Sequence, residues 1–143
     1  MQTVKEFFQQ NDRFAAHSGI ELLQVEKGRA VAKMVIGPHH LNSGNVVHGG
    51  AIFTLADFAF AAACNSHGRL AFAIQVSIHF IKSAESGTLF AEAKEISLHH
   101  RIATYAVEIK DDQGQLIATF QGMVFRKDIE LPFAKIPEKI DAE

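Results

Sequence analysis

Residues 49–66 of the chain read GGAIFTLADFAFAAACNS. Ala and Leu favour helix, and the run is apolar on all sides, with Asp57 as the only charged side chain between His48 and His67. A helix without a polar face is buried all round. The apolar stretch from Ala51 to Cys64 is shorter than the ~20 residues that cross a bilayer, so it predicts a core helix and no membrane partner. Asn65, Ser66 and Gly68 end it. Whatever else the chain forms must wrap around this element.

The remainder reads as a sheet. Residues 3–16 place Val4, Phe7, Phe8 and Phe14 mostly at helical spacing and predict a short amphipathic helix, stopped by Ser18-Gly19. Segments 20–27 and 29–36 form strands around a turn at Gly28, and 37–48 is a Gly-, Pro- and Asn-rich loop. Four further strands are expected at 71–82, 87–98, 102–110 and 115–126, with Asp111-Asp112-Gln113-Gly114 as a hairpin turn. Residues 127–143 are charged, contain Pro132 and Pro137, and read as a peripheral tail. The 143 residues predict one domain, 1–143, with its core over about 5–126. Its class is α+β: one antiparallel sheet curled around the long central helix.

Composition removes several functions. The formal charge of −2 lacks the basic surplus of a nucleic-acid binder. A single cysteine, Cys64, makes neither an internal disulfide nor a Cys-based zinc site and reads as a small core residue. The N-terminal MQTVKEFFQQNDRF has no secretion signal, so a cytoplasmic location is expected. The eight histidines include the adjacent pairs His39-His40 and His99-His100, which would point apart on a strand, and no HExxH occurs. No metal or cofactor is therefore expected. A G-x-S-x-G nucleophile elbow is absent too.

The chemistry that remains centres on Asp57. A buried carboxylate is costly unless paired or neutral, and Phe53, Thr54, Phe60 and Ala61 at i±3 and i±4 offer no cation. It is held either by a distant structural contact or by function. His48-Gly49-Gly50 opens the same helix. Unpaired N–H groups at the positive end of the helix dipole make an oxyanion hole, or the glycines merely make a tight turn. Gly49 and Asp57 are eight residues apart, about 12 Å along a helix at ~1.5 Å per residue. A base and an oxyanion donor must both reach one carbonyl. If both act, they come from different subunits, and the site lies at an interface. Asn42 in the preceding loop orients a water or makes an Asx turn.

Asn42, His48-Gly49-Gly50 and Leu55-Ala56-Asp57 on an apolar helix resemble the hotdog-fold acyl-CoA thioesterases. The likeness is greatest to the phenylacetate-degradation (PaaI) type, notably over the stretch from Gly44–Gly50 through Cys64-Asn65-Ser66. The resemblance implies that Asp57 activates water or attacks the thioester, that the Gly49 N–H polarises its carbonyl, and that Asn42 positions the water. It implies homodimers, with Asp and Gly from opposite subunits, often paired into tetramers. An acyl pocket at the interface would draw walls from Gly50, Phe53, Phe58 and Phe60, and the phosphates of the acyl-CoA partner would favour Lys82 and Arg101. An aromatic, phenylacetyl-like acyl group is the first expectation, with medium-chain groups as the other. Two positions depart from the pattern: Ala73 stands where some members carry a Ser, with Ser77 four residues on, and the fourth turn reads His99-His100-Arg101 without the usual Gly. Two rival readings stand: a hotdog hydroxyacyl-thioester dehydratase recruiting His48 as base, and a non-catalytic acyl-CoA-binding module.

Overall fold

A computed structural model describes residues 1–137. The elements are α1 (Val4–Asn11), α2 (Arg13–His17), β1 (Ile20–Glu26), β2 (Arg29–Val35), a 3-10 turn (Pro38–His40), α3 (Gly49–Asn65), β3 (Arg69–Phe80), β4 (Thr88–Leu98), β5 (Ile102–Asp111) and β6 (Leu116–Glu130). All six strands join one antiparallel sheet in the order β1-β2-β4-β5-β6-β3. After β2 the chain crosses to the far edge of the sheet before β4, β5 and β6 fill the gap. The crossing element is α3, which packs against every strand. This is the hotdog fold: an α+β sheet curled around a long helix.

Strand alternation fixes the inner face. On β5, Ala103, Tyr105, Val107 and Ile109 point to α3, and on β6 Phe120, Gly122 and Val124 do the same. Gly122 makes room for the Phe60 ring, which stacks against Tyr105 and Phe120. The end of α3 is tied down by polar groups. Asn65 Nδ2 donates to the carbonyls of Ala61 and Ala71, while its Oδ1 accepts the Ala71 N–H. Ser66 Oγ accepts the Gly28 N–H, which holds the β1–β2 turn to the helix; Gly28 has φ +75, a conformation open to glycine.

Several expectations are corrected. The helix over 3–16 is two helices, because Asp12 ends α1 with its N–H on Phe8 O and caps α2 through Oδ1 on the Ala15 N–H. α3 is not buried all round. Gly50, Thr54, Asp57 and Ala61, spaced i+4, i+3 and i+4, form a stripe that the sheet leaves uncovered. The segment 127–137 is not peripheral. β6 continues to Glu130, Leu131 N–H bonds Gly68 O, and Phe133 is buried against Phe7 and Phe8. The last part of the expected tail, 138–143, lies outside the described residues. His39 and His40 sit on the 3-10 turn with rings 3.9 Å apart rather than diverging on a strand. The fourth turn closes without glycine, since no residue of 99–101 has a positive φ. Among the described residues no helix is long and apolar enough to cross a membrane.

Candidate active site

Asp57 sits midway along α3, half-buried, and makes no hydrogen bond or ion pair among the described residues. Burial pushes its carboxyl above the usual carboxylate range, and the neighbouring charge of Asp12 adds to the rise. A structural partner, one of the two reasons for retaining such a carboxylate, is therefore missing among the described residues of the protomer. Cys64, two turns on, is buried, and its thiol is pushed up to about 12 by that burial and then by Asp57. It is inert core.

The helix N-terminus is capped by His48. Its Nδ1 accepts the Gly50 N–H at 2.8 Å. That geometry assigns the ring proton of the neutral imidazole to Nε2, leaving His48 a donor and not a free base. Gly50 is thereby removed as an oxyanion donor. The N–H groups of Ala51 and Ile52 bond to His48 O. Gly49 is left, and its N–H makes no hydrogen bond among the described residues. It borders a cleft of about 330 Å³ with Ile52, Phe80 and Lys82. The Phe80 ring stands where a Gly49 Cβ would come within 3.1 Å of it.

Gly50 and Thr54 border a different cleft, of about 280 Å³, between α2 and α3. Within one protomer Gly49 and the Gly50–Thr54 part of the stripe thus border separate clefts. Asn42 Oδ1 accepts the N–H groups of Gly44 and Val46 at 2.8 and 3.4 Å, an Asx turn that sets the loop before α3. Its amide nitrogen makes no bond among the described residues.

The expected acyl walls are only partly at the surface. Phe58 and Phe60 are fully buried core rings, because α3 directs them onto the sheet, and this corrects their assignment to an acyl pocket. Phe53 is half-buried, edge-on to Phe120. Lys82 and Arg101 are not brought together. Lys82 lies where its N–H meets Ile117 O, while Arg101 O accepts the Arg126 N–H. Ile117 and Arg126 are nine residues apart on β6, about 30 Å at ~3.3 Å per residue. Lys82 contacts Gln115, and Arg101 is paired with Asp128 at 2.6 Å. Ser77 points away from the helix beside Gln121, so it cannot stand in for Ala73 on the inner face.

Sequence reading missed Thr54 within the exposed stripe of α3, Phe14 and His17, which share a cleft with it, and Asp12, whose charge reaches Asp57. Asp12 carries a helix-cap signature, but its approach to Asp57 spans 45 residues of chain and has no local signal. A second polar cluster was also missed: the buried Tyr105 hydroxyl donates to Glu95 Oε1 at 2.7 Å, and His67 Nε2 meets the same oxygen at 2.8 Å.

The sequence model of the thioesterase superfamily matches residues 44–118. A putative esterase of Archaeoglobus fulgidus is 44% identical over 133 residues, covering 92% of this chain and 86% of that protein. The acyl-coenzyme A thioesterase PaaI of Escherichia coli is 36% identical over 118 residues, covering 82% of this chain and 84% of its own. The solved structure of the E. coli PaaI protein from the phenylacetic acid degradation operon superposes with a TM-score of 0.84 at 34% identity, covering 87% and 91% of the two chains.

Proposed function

Because the chain belongs to the thioesterase superfamily, as a hotdog-fold thioester hydrolase of the PaaI type, we propose that it hydrolyses a small aromatic or medium-chain acyl-CoA with Asp57 as general base. The observation that carries this is a half-buried carboxylate, raised in basicity and without a partner among the described residues, on a helix whose first N–H is also free of one. Asp57 takes a proton from water as the water oxygen bonds to the thioester carbon. The carbonyl oxygen becomes an oxyanion, held by the N–H of Gly49 of the partner subunit. The intermediate collapses, the C–S bond breaks, and the thiolate leaves with the bonding pair. A thiol of ordinary pKa near ~8.5 needs no strong acid to leave. The proton on Asp57 returns to the thiolate or to solvent, and the acyl group departs as the free acid.

The two-protomer site is supported by the Gly49–Asp57 separation and by the edge of the sheet. β3 has a free side and exposes Phe72, Ile74 and Phe80, which suits pairing with a second copy. Tetramers would be pairs of such dimers. Asn42, whose amide nitrogen points to no protein partner, is proposed to hold the water. Lys82 and Arg101, at opposite ends of β6, would meet one coenzyme only as residues of different protomers. The dehydratase reading loses its base, since His48 Nδ1 is committed to the cap.

Thiol release from a panel of acyl-CoA esters is the test. Wild type is expected to release thiol and both Asp57→Ala and Asp57→Asn to lose at least a hundredfold, as removal of a general base does. Undiminished release by the variants rejects Asp57. Binding without turnover by wild type favours the non-catalytic module. Sedimentation of the active species as a monomer rejects the shared site.

A further inference from the structure

The cleft between α2 and α3 is lined by neither Gly49 nor Asp57. Its walls include Phe14 and His17 from α2, Leu41, the cap residue His48, and Gly50 and Thr54 from α3. Thr54 and Gly50 lie on the α3 stripe that continues, three residues on, to Asp57. The cap of α2 is Asp12, whose charge acts on Asp57 directly. The cleft therefore ends at Thr54, one helical turn short of the candidate base on the same stripe, whereas Phe58 and Phe60 are sealed in the core.

Phe14 is the unusual residue here. The residue is 67% exposed, although Phe7 and Phe8 on α1 pack against each other and against Phe133. Phe14 has no ring contact among the described residues. The short helix is not loose. Asp12 caps it, Ala15 is buried, and the Gln9 amide clamps the preceding turn to β1 through Ile20 O and the Leu22 N–H. A fixed backbone thus presents an apolar ring to a cleft of about 280 Å³, near the lower end of the ~300–1,000 Å³ range of ligand sites. That volume suits a compact acyl group and not a long chain.

We propose that the α2–α3 cleft receives the acyl group of the thioester and that Phe14 is its specificity-determining wall, favouring an aromatic ring over an aliphatic chain. This rests on the reading of Asp57 as the base acting on an acyl thioester. Ring-on-ring contact with Phe14 makes the preference, and the thioester carbon is left toward Asp57.

Two measurements separate this proposal from the activity itself. The first compares kcat/KM for phenylacetyl-CoA and acetyl-CoA in wild type, Phe14→Ala and Phe14→Tyr. The second titrates a non-hydrolysable ketone analogue of phenylacetyl-CoA by calorimetry. Phe14→Ala is expected to lower the phenylacetyl-to-acetyl preference roughly tenfold, through KM more than kcat, and to weaken the analogue by a similar factor; Phe14→Tyr restores both. Because the ring is exposed, the melting temperature of Phe14→Ala stays close to wild type. An unchanged preference with unchanged analogue binding overturns the proposal, as does a wild type that fails to bind the analogue. A wild type that binds the analogue through Phe14 yet releases no thiol upholds the cleft and rejects the hydrolytic reading.

Discussion

Gly122→Ala measures how tightly the sheet holds the candidate catalytic helix. A Cβ on Gly122 would stand 2.4 Å from Cζ of Phe60, and 2.7 and 2.9 Å from its two Cε atoms. Carbon–carbon contact is comfortable only at about 3.5–4.0 Å, so the ring must move by about an ångström. It has nowhere to go. Tyr105 and Phe120 flank it with ring centroids 5.7 and 5.4 Å away, and all three rings are at most 2% exposed. Overpacking of this kind costs about 1–3 kcal/mol. The gain from a stiffer unfolded chain offsets about 0.4–1 kcal/mol, since Gly122 has no positive φ to lose. The balance is a loss of about 1–2 kcal/mol, or about 3–8 °C in melting temperature for a chain of this size. Phe60 is one turn beyond Asp57, so thiol release should fall as well. The assay is thermal unfolding at fixed protein concentration with parallel turnover, on Gly122→Ala, Phe60→Leu and the double variant. Phe60→Leu vacates the space the new methyl needs, so the double variant is expected to be more stable than the sum of the single losses by about 0.5–2 kcal/mol. Strict additivity, or an unshifted melting temperature in Gly122→Ala, would refute the reasoning.

Asp12→Asn keeps the α2 cap, since Asn caps as well as Asp, but removes a negative charge that raises the Asp57 carboxyl. Asp57 then ionises more readily, and the acid limb of the kcat/KM profile against pH shifts to lower pH; a fixed or upward-moving limb would contradict the Asp12–Asp57 coupling. His48→Ala deletes the side-chain acceptor of the Gly50 N–H. Urea unfolding should show a loss of about 0.5–2 kcal/mol that His48→Asn largely restores, and an equal loss in both variants would show that the cap is not what His48 contributes.

The helix from 49 and its place at the centre were legible because an all-apolar run has few alternatives in a small domain. The strands were legible from alternation, except where neighbours decide. Lys127, Asp128 and Glu130 look like solvated tail, yet they extend β6 because β3 supplies a partner as far as Arg69. Phe14 shares helical spacing with Val4, Phe7 and Phe8, and only the break at Asp12 turns it to the other side. At the site, helix rise alone separated Gly49 from Asp57. The distance between Lys82 and Arg101, and the approach of Asp12 to Asp57, depend on register and on packing of remote segments, and no local pattern encodes them. Phe58 and Phe60 illustrate the same limit: spacing says that a ring lies on α3, while the curvature of the sheet says which rings it covers.

The imidazole cap has an evolutionary consequence. A helix start offers a small set of free N–H groups, and here the residue at 48 spends one of them inside the protein. On the proposed mechanism, a chain with no acceptor at that position would present two adjacent donors to a substrate oxygen instead of one. Drift at position 48 can therefore alter how much developing charge the site accommodates while Asp57 and both glycines stay untouched. In a lineage that explores new acyl esters, the capping residue is a tuning point whose changes would pass for stability mutations.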